Sequence, residues 1–281
     1  MSRDVLNPHP PDGPPDTGPS AQGTSMRPSS PAGAPSRTTA ASPVPRLPLS
    51  LRLPNPDPTF VGHGETLATL HTLLQDHPVV VLTGPAGIGK STLATEALQR
   101  RPPHAGPLAR LPLATLPPGT LQHTLRRTLA LGDAIPPDWR LLDPLPEEAL
   151  AALVDLADAG PWTLLLDDAD HHPQPDELLD ILLVAARWSR HARWILTLRT
   201  LPDELRGHVA SLPVPPLQPH DIPPWLDRMT RAGHDTTALA PLDPDTLHHT
   251  TGGRPAALRA LLATPDTPDH PDVSRVRALL L

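Results

Sequence analysis

Val79-Val80-Val81-Leu82-Thr83-Gly84-Pro85-Ala86-Gly87-Ile88-Gly89-Lys90-Ser91 is the stretch that decides the fold. It opens with a short β-branched run, the signature of a strand buried on both faces of a parallel sheet. It passes at once into Gly84-Pro-Ala-Gly-Ile-Gly-Lys-Ser91, which satisfies G-x-x-x-x-G-K-[ST]. Leu93, Ala94, Ala97 and Leu98 then recur at helical spacing over Ser91–Arg100. Strand, glycine loop and helix in that order are the context in which this motif holds phosphate. Lys90 is also the only lysine among 281 residues, while arginine fills the other basic positions.

Glycines at 84, 87 and 89 let the backbone take positive φ and turn its N–H groups inward. The run Gly84, Pro85, Ala86, Gly87, Ile88, Gly89, Lys90, Ser91 and Thr92 is therefore the expected cradle of a nucleoside triphosphate, with the helix N-terminus adding to the field. Lys90 is expected to reach the β- and γ-phosphates and Ser91 to offer its hydroxyl oxygen to Mg²⁺.

Outward from the loop, strands and helices alternate. Leu67, Leu70, Leu73 and Leu74 predict a helix over 64–76. Further strands are expected at 108–113, 163–167, 194–198 and, more weakly, 211–214. Helices are expected at 119–131, 146–159 and 175–188. This alternation predicts an α/β P-loop core of three layers, a parallel sheet with helices on both faces, over residues 57–216. Beyond Pro216 the strand signal stops, and helices at about 219–232, 243–250 and 254–263 predict a small helical lid over 217–263. Residues 1–56 carry 14 prolines among Ser, Thr, Gly and Ala, and are expected to form a disordered tail. Residues 264–281 are expected to be a short tail or helix.

A second group of polar residues closes the strand Thr163-Leu-Leu-Leu-Asp167-Asp168. An apolar strand ending in two acids places carboxylates at the C-terminal edge of the sheet, where open α/β sheets bind ligands. Asp167 is expected to hold Mg²⁺ and Asp168 to polarise an attacking water. Trp194-Ile-Leu-Thr-Leu-Arg199 supplies a basic residue at the end of the next strand, placed to face a γ-phosphate. Room for a full strand–helix unit at about 108–131 separates Lys90 from Asp167. An extra strand between the two functional strands is the layout of the additional-strand ATPases, and it argues against small-molecule kinases.

Phe60-Val61-Gly62-His63 resembles the motif that precedes the first helix of the STAND ATPases, the signal-transduction branch of the AAA-like P-loop proteins. Gly84–Ser91 is similar to their Walker A, Leu164–Asp168 to their Walker B, Thr197–Arg199 to their sensor strand, and Gly253-Arg254-Pro255 to their Gly-x-Pro motif. His63 stands where that family usually has arginine. The resemblance implies ATP with Mg²⁺, slow hydrolysis and a regulatory role. It also implies that Val61 and Pro255 lie at the base end of the nucleotide. Family members usually continue into a winged-helix domain and a repeat sensor. With 26 residues after Pro255, a sensor or effector on a separate chain is expected, as is nucleotide-dependent self-association.

Composition narrows the alternatives. Net charge is −7 and the tail carries only five Arg against three Asp, so no basic field points to nucleic acid. A DNA-linked AAA-type ATPase ranks below the switch for that reason. A non-hydrolysing nucleotide scaffold is the other reading. The absence of cysteine excludes disulfides and thiolate chemistry. No apolar run is long enough to span a bilayer, and no secretory core opens the chain, so a cytoplasmic protein is expected. The pairs His171-His172 and His248-His249 are expected in solvated positions rather than as metal ligands, because adjacent side chains do not share a face.

Overall fold

The computed structural model describes residues 51–101, 106–130 and 146–263. The greater part of the expected N-terminal tail, and the whole of 264–281, lie outside them. Five parallel strands form one sheet: β1 (Val79–Thr83), β2 (Leu108–Pro112), β3 (Thr163–Asp167), β4 (Arg193–Leu198) and β5 (Ala210–Pro213). The helices are α1 (Gly64–Asp76), α2 (Lys90–Gln99), α3 (Leu121–Ala130), α4 (Pro146–Ala159) and α5 (Pro175–Trp188), then α6 (Ile222–Arg231), α7 (Pro244–Thr251) and α8 (Pro255–Ala263).

Strand alternation sorts the core into two faces. Val79 and Val81 join Leu164, Leu166, Trp194 and Leu196 on one side, against Leu121, Leu125, Leu153, Ile181 and Leu182 of α3, α4 and α5. Val80 and Leu82 join Leu165 and Ile195 on the other, against Leu67, Leu70, Leu93 and Ala97 of α1 and α2. Each fully buried aliphatic side chain contributes about 1.5–3 kcal/mol. Because β1 and β3 feed both faces, their runs are continuously apolar rather than alternating. A third cluster, with Leu217, Ile222, Trp225, Met229, Leu247 and Leu258, joins Val61 to α6, α7 and α8.

The strand order is β2-β3-β4-β1-β5. The strand that separates β1 from β3 is thus β4, paired with Val79–Thr83 on one side and Thr163–Leu166 on the other. The expectation of an interposed strand holds, but the reason given for it does not. The unit lying between Lys90 and Asp167 in sequence puts its strand, β2, at the sheet edge beside β3. Order along the chain does not set order across the sheet, since right-handed crossovers carry the chain past its neighbours.

Smaller departures have local causes. β2 ends at Pro112, and Leu113 enters a 3₁₀ turn over Leu113–Thr115. Gly119 sits at φ 71°, so α3 starts only at Leu121. The helix expected over 219–232 begins as a 3₁₀ turn, Pro219–Asp221, before α6. Packing also starts ahead of residue 57. Leu51 lies against the first cluster and Leu53 against the second, while the carbonyl of Pro54 accepts a hydrogen bond from Gln99.

Candidate functional site at the sheet edge

β1 delivers the chain to the C-terminal edge of the sheet, where Gly84, Gly87 and Gly89 take φ of 145°, 76° and 102°. These angles are closed to most side chains, so the loop can turn back under itself and launch α2 at Lys90. Gly87 is further constrained. A Cβ there would fall 2.5 Å from the Cβ of Ala256, at the start of α8. The Ala256 N–H donates to the Gly87 carbonyl at 3.2 Å, so the lid rests directly on the loop. Lys90 folds back, its Nζ donating to the carbonyls of Gly84 (2.8 Å) and Pro85 (3.2 Å). Burial pulls the Lys90 ammonium below lysine's usual value, opposed chiefly by Asp170 and Asp168.

Asp167 is sealed beneath the loop, with no exposed side-chain surface. Its Oδ1 accepts from Ser91 Oγ and Thr197 Oγ1, both at 2.7 Å, and from the Asp168 N–H at 3.2 Å. Its Oδ2 accepts from Arg110 Nη2 (2.6 Å) and Nε (3.0 Å). Burial alone would push this carboxyl up. The hydrogen bonds from Ser91, Arg110 and Thr197, with the charge of Arg110, outweigh it and hold Asp167 below the usual carboxylate range. Thr197 also accepts from the Asp168 N–H at 2.8 Å. That bond helps hold Asp168 at φ 56°, an unfavourable left-handed conformation that turns its side chain out to solvent.

Asp168, Asp170 and Arg199 line one open cleft with Ala86, Gly87, Lys90 and Ser91. Arg199 is tied in by its backbone. Its carbonyl accepts from the Gly84 N–H (3.1 Å) and its N–H donates to Asp170 Oδ1 (2.9 Å). Next to this polar cleft lies an apolar chamber walled by Phe60, Val61, Ile88, Leu217 and Trp225. Gly89, Thr92, Pro255 and Arg259 border both, so the cleft and the chamber lie side by side. Arg259 of α8 reaches across to Asp57 Oδ2 (2.5 Å) and Thr59 Oγ1 (2.6 Å). His63, at the mouth of the chamber, is held below the usual histidine value by burial, opposed by Asp221.

Most of the residues singled out in the sequence thus meet at one place. Ala86, Gly87, Gly89, Lys90, Ser91, Thr92, Asp168, Arg199 and Pro255 border the polar cleft, while Val61 and Ile88 border the chamber. Gly84 and Pro85 stand behind, their carbonyls holding Lys90. Asp167 lies under the cleft rather than in its wall. Sequence reasoning missed Arg110, Thr197, Asp57 and Arg259. It also misplaced His172, which is 5% exposed with neither ring nitrogen hydrogen-bonded, rather than solvated.

The donor set suits Mg²⁺. A hydroxyl and a carboxylate oxygen, both hard ligands, stand 2.7 Å apart at the foot of the cleft. No group of three His, Cys, Asp or Glu side chains able to hold a metal by itself occurs among the described residues. A site of this kind relies on oxygens brought by its substrate, the usual mode for magnesium in phosphoryl transfer.

No protein-family model matches this sequence, and no curated protein sequence matches it. Among solved structures the chain is similar to a Signal Transduction ATPase with Numerous Domains (STAND) protein with a tetratricopeptide repeat sensor from Pyrococcus horikoshii. The TM-score is 0.57 at 20% identity, over 83% of this chain and 34% of that one. It is also similar to a Walker-type ATPase of Pyrococcus abyssi, with a TM-score of 0.52 at 16% identity over 79% and 72% of the two chains. The chain therefore spans about a third of the first structure's length and most of the second's. At these identities the likeness establishes the fold, that of the P-loop ATPases.

Proposed function

We propose that this chain binds ATP with magnesium between the sheet edge and the helical lid, hydrolyses it slowly, and works as a nucleotide-dependent regulatory switch. The observation that carries this reading is the shared border of the cleft and the chamber. A phosphate loop with its lone lysine lies beside a chamber walled by Phe60, Val61, Ile88, Leu217 and Trp225, the side on which the base of a nucleotide would sit.

In this reading the loop amides and the N-terminus of α2 grip the phosphates, and Lys90 leaves the Gly84 and Pro85 carbonyls to meet them. Ser91 and Asp167 hold the metal, which when bound supplies charge neutralisation at the phosphates. Asp168, turned outward by its backbone, orients and polarises a water. Thr197 keeps the two aspartates in fixed relation. Arg199 faces the terminal phosphate, and its backbone bonds to Gly84 and Asp170 tie any movement to the loop. Val61 and Pro255 flank the base. Pro255 and Ala256 begin α8, so the phosphate loop and the lid touch through Gly87 and Ala256, and closure of the lid would follow nucleotide state. A sensor or effector protein reading the lid, and nucleotide-dependent self-association, belong to the same proposal. No helix among the described residues is long and apolar enough to cross a membrane.

The test is phosphate release by purified protein, with Lys90→Ala and Asp168→Asn as comparisons. The proposal expects slow release by the wild type and none by either variant, with Asp168→Asn still binding ATP. Wild-type release no faster than that of Lys90→Ala would leave a scaffold that binds without turnover and would remove the hydrolytic part of the proposal.

A further inference from the structure

Arg110 sits in the middle of β2, between buried Ala109 and Leu111. A charged residue inside a parallel strand needs a partner. The register supplies one, since Arg110 pairs with Leu165 and Pro112 with Asp167. Strand alternation then puts Arg110 and Asp167 on the same face of the sheet, one diagonal step apart. Through Nε and Nη2 the guanidinium takes one carboxylate oxygen, Oδ2, entirely to itself. The other oxygen serves Ser91, Thr197 and the Asp168 N–H. Both oxygens are thereby saturated.

The five donors are not equivalent. Thr197 is 1% exposed, and the Asp168 N–H is fixed by the backbone. Ser91 can turn its oxygen to a cation while still donating its proton to Asp167. Arg110 is the one charged donor, and its side chain is 27% exposed while that of Asp167 is 0% exposed. It can swing to water and leave no buried group of its own unpaired. A divalent cation arriving beside Asp167 meets a positive charge already seated there.

We propose that Arg110 is a resident cation that competes with divalent metal for Asp167. In the nucleotide-free protein it neutralises the carboxylate and keeps the metal out. The negative charge of an incoming triphosphate shifts the balance, so metal and nucleotide enter together. Arg110 thereby sets how much magnesium the site demands. The inference rests on Asp167 being the metal-side carboxylate of the proposed nucleotide site.

The experiment titrates Mn²⁺ into nucleotide-free protein, with bound metal read by electron paramagnetic resonance. It compares the wild type, Arg110→Gln, Arg110→Lys and the double variant Arg110→Gln/Asp167→Asn. The expected result is at least tenfold tighter Mn²⁺ binding in Arg110→Gln, abolished in the double variant. Arg110→Lys, which keeps the charge but cannot make both bonds to Oδ2, should fall between the wild type and Arg110→Gln. The proposal is overturned if Arg110→Gln binds Mn²⁺ no tighter than the wild type, or if the gain survives loss of Asp167. Should Arg110→Gln fail to fold, Arg110→Lys decides: tighter binding than the wild type supports the proposal, and equal or weaker binding overturns it. The titration contains no nucleotide, so failure of ATP to bind the wild type would remove the nucleotide reading without being confused with this result.

Discussion

The two ends of the cleft are assembled in different ways. At the loop end, residues 84–92 are consecutive, and three glycine φ angles and one strand–helix junction set their shape. At the chamber end, Ile88, Gly89 and Thr92 of the loop end meet walls drawn from Phe60 and Val61, from Leu217 and Trp225, and from Pro255 and Arg259. The ion pair of Arg259 with Asp57 spans 202 positions of sequence. The first end is preorganised by local backbone chemistry. The second exists only while the lid cluster is packed against the core. One end should therefore set affinity for phosphate, and the other should set how much a base adds and how firmly the lid stays down.

Separate probes of the two ends, inorganic triphosphate for the loop and ATP for both, turn this contrast into measurements. The largest effect is expected for Lys90→Ala. A unit charge pair at about 4 Å is worth roughly 4 kcal/mol at an effective dielectric near 20. Both ligands should then bind roughly a thousandfold more weakly by calorimetry, with the melting temperature unchanged. A variant that lost ATP but kept triphosphate would show that the tail sits elsewhere.

Next comes Leu258→Ala. Leu258 of α8 is fully buried in the lid cluster, and truncation there should cost roughly 2–5 kcal/mol in denaturant unfolding. The margin by which ATP binds better than triphosphate should shrink, while triphosphate affinity stays within about twofold. An equal loss for both ligands would mean that the two ends do not act separately.

Arg259→Ala should have a smaller effect. Its pair with Asp57 is partly exposed, at 45% and 23% of the side chains, so solvent screening limits its worth to about 0.2–1 kcal/mol. The expected outcome is a slight fall in ATP affinity with triphosphate unaffected.

The smallest effect concerns pH. Burial holds His63 below its ordinary value of 6.5 in the folded chain, so the unfolded chain takes up its proton first as pH falls. The His63 contribution to stability is complete above about 6.5 and is lost as pH drops toward the folded value. His63→Asn tolerates the same left-handed backbone, φ 57°, and does not titrate there. Its melting temperature should fall less than that of the wild type between pH 7.5 and 5.5. Parallel curves would remove the histidine from the account. Asp167 has the same sign further down. Held below 3.8, it stabilises the fold at neutral pH and stops doing so as pH falls through its folded value.

The same contrast explains what could be read from the sequence. β1, the loop and α2 are legible because their signals are local: a β-branched run, three glycines and a helical period. α1, α4 and α5 span the ranges expected for them, 64–76, 146–159 and 175–188. Sequence order puts the strand at 108–113 between β1 and β3, whereas the sheet puts β4 there and β2 at the edge, because linear order carries no information about lateral order. Arg110 did leave a trace, a charge inside an otherwise apolar strand, but only the register of β2 with β3 names its partner. Thr197 lies in the sensor-like strand, where an uncharged residue among buried neighbours carries no signal comparable to the charge of Arg199. The buried hydroxyl is the one that holds Asp167 and Asp168 together. Asp57 and Arg259 left no local signal at all, since their contact depends on the docked lid.

The most direct measurement is a crystal structure grown with magnesium and a non-hydrolysable ATP analogue. The account predicts phosphates against the backbone amides of residues 84–91, Lys90 turned away from the Gly84 and Pro85 carbonyls, and the base in the chamber beside Val61 and Pro255. An analogue bound elsewhere, or a loop that stays closed on Lys90 with the chamber empty, would contradict it.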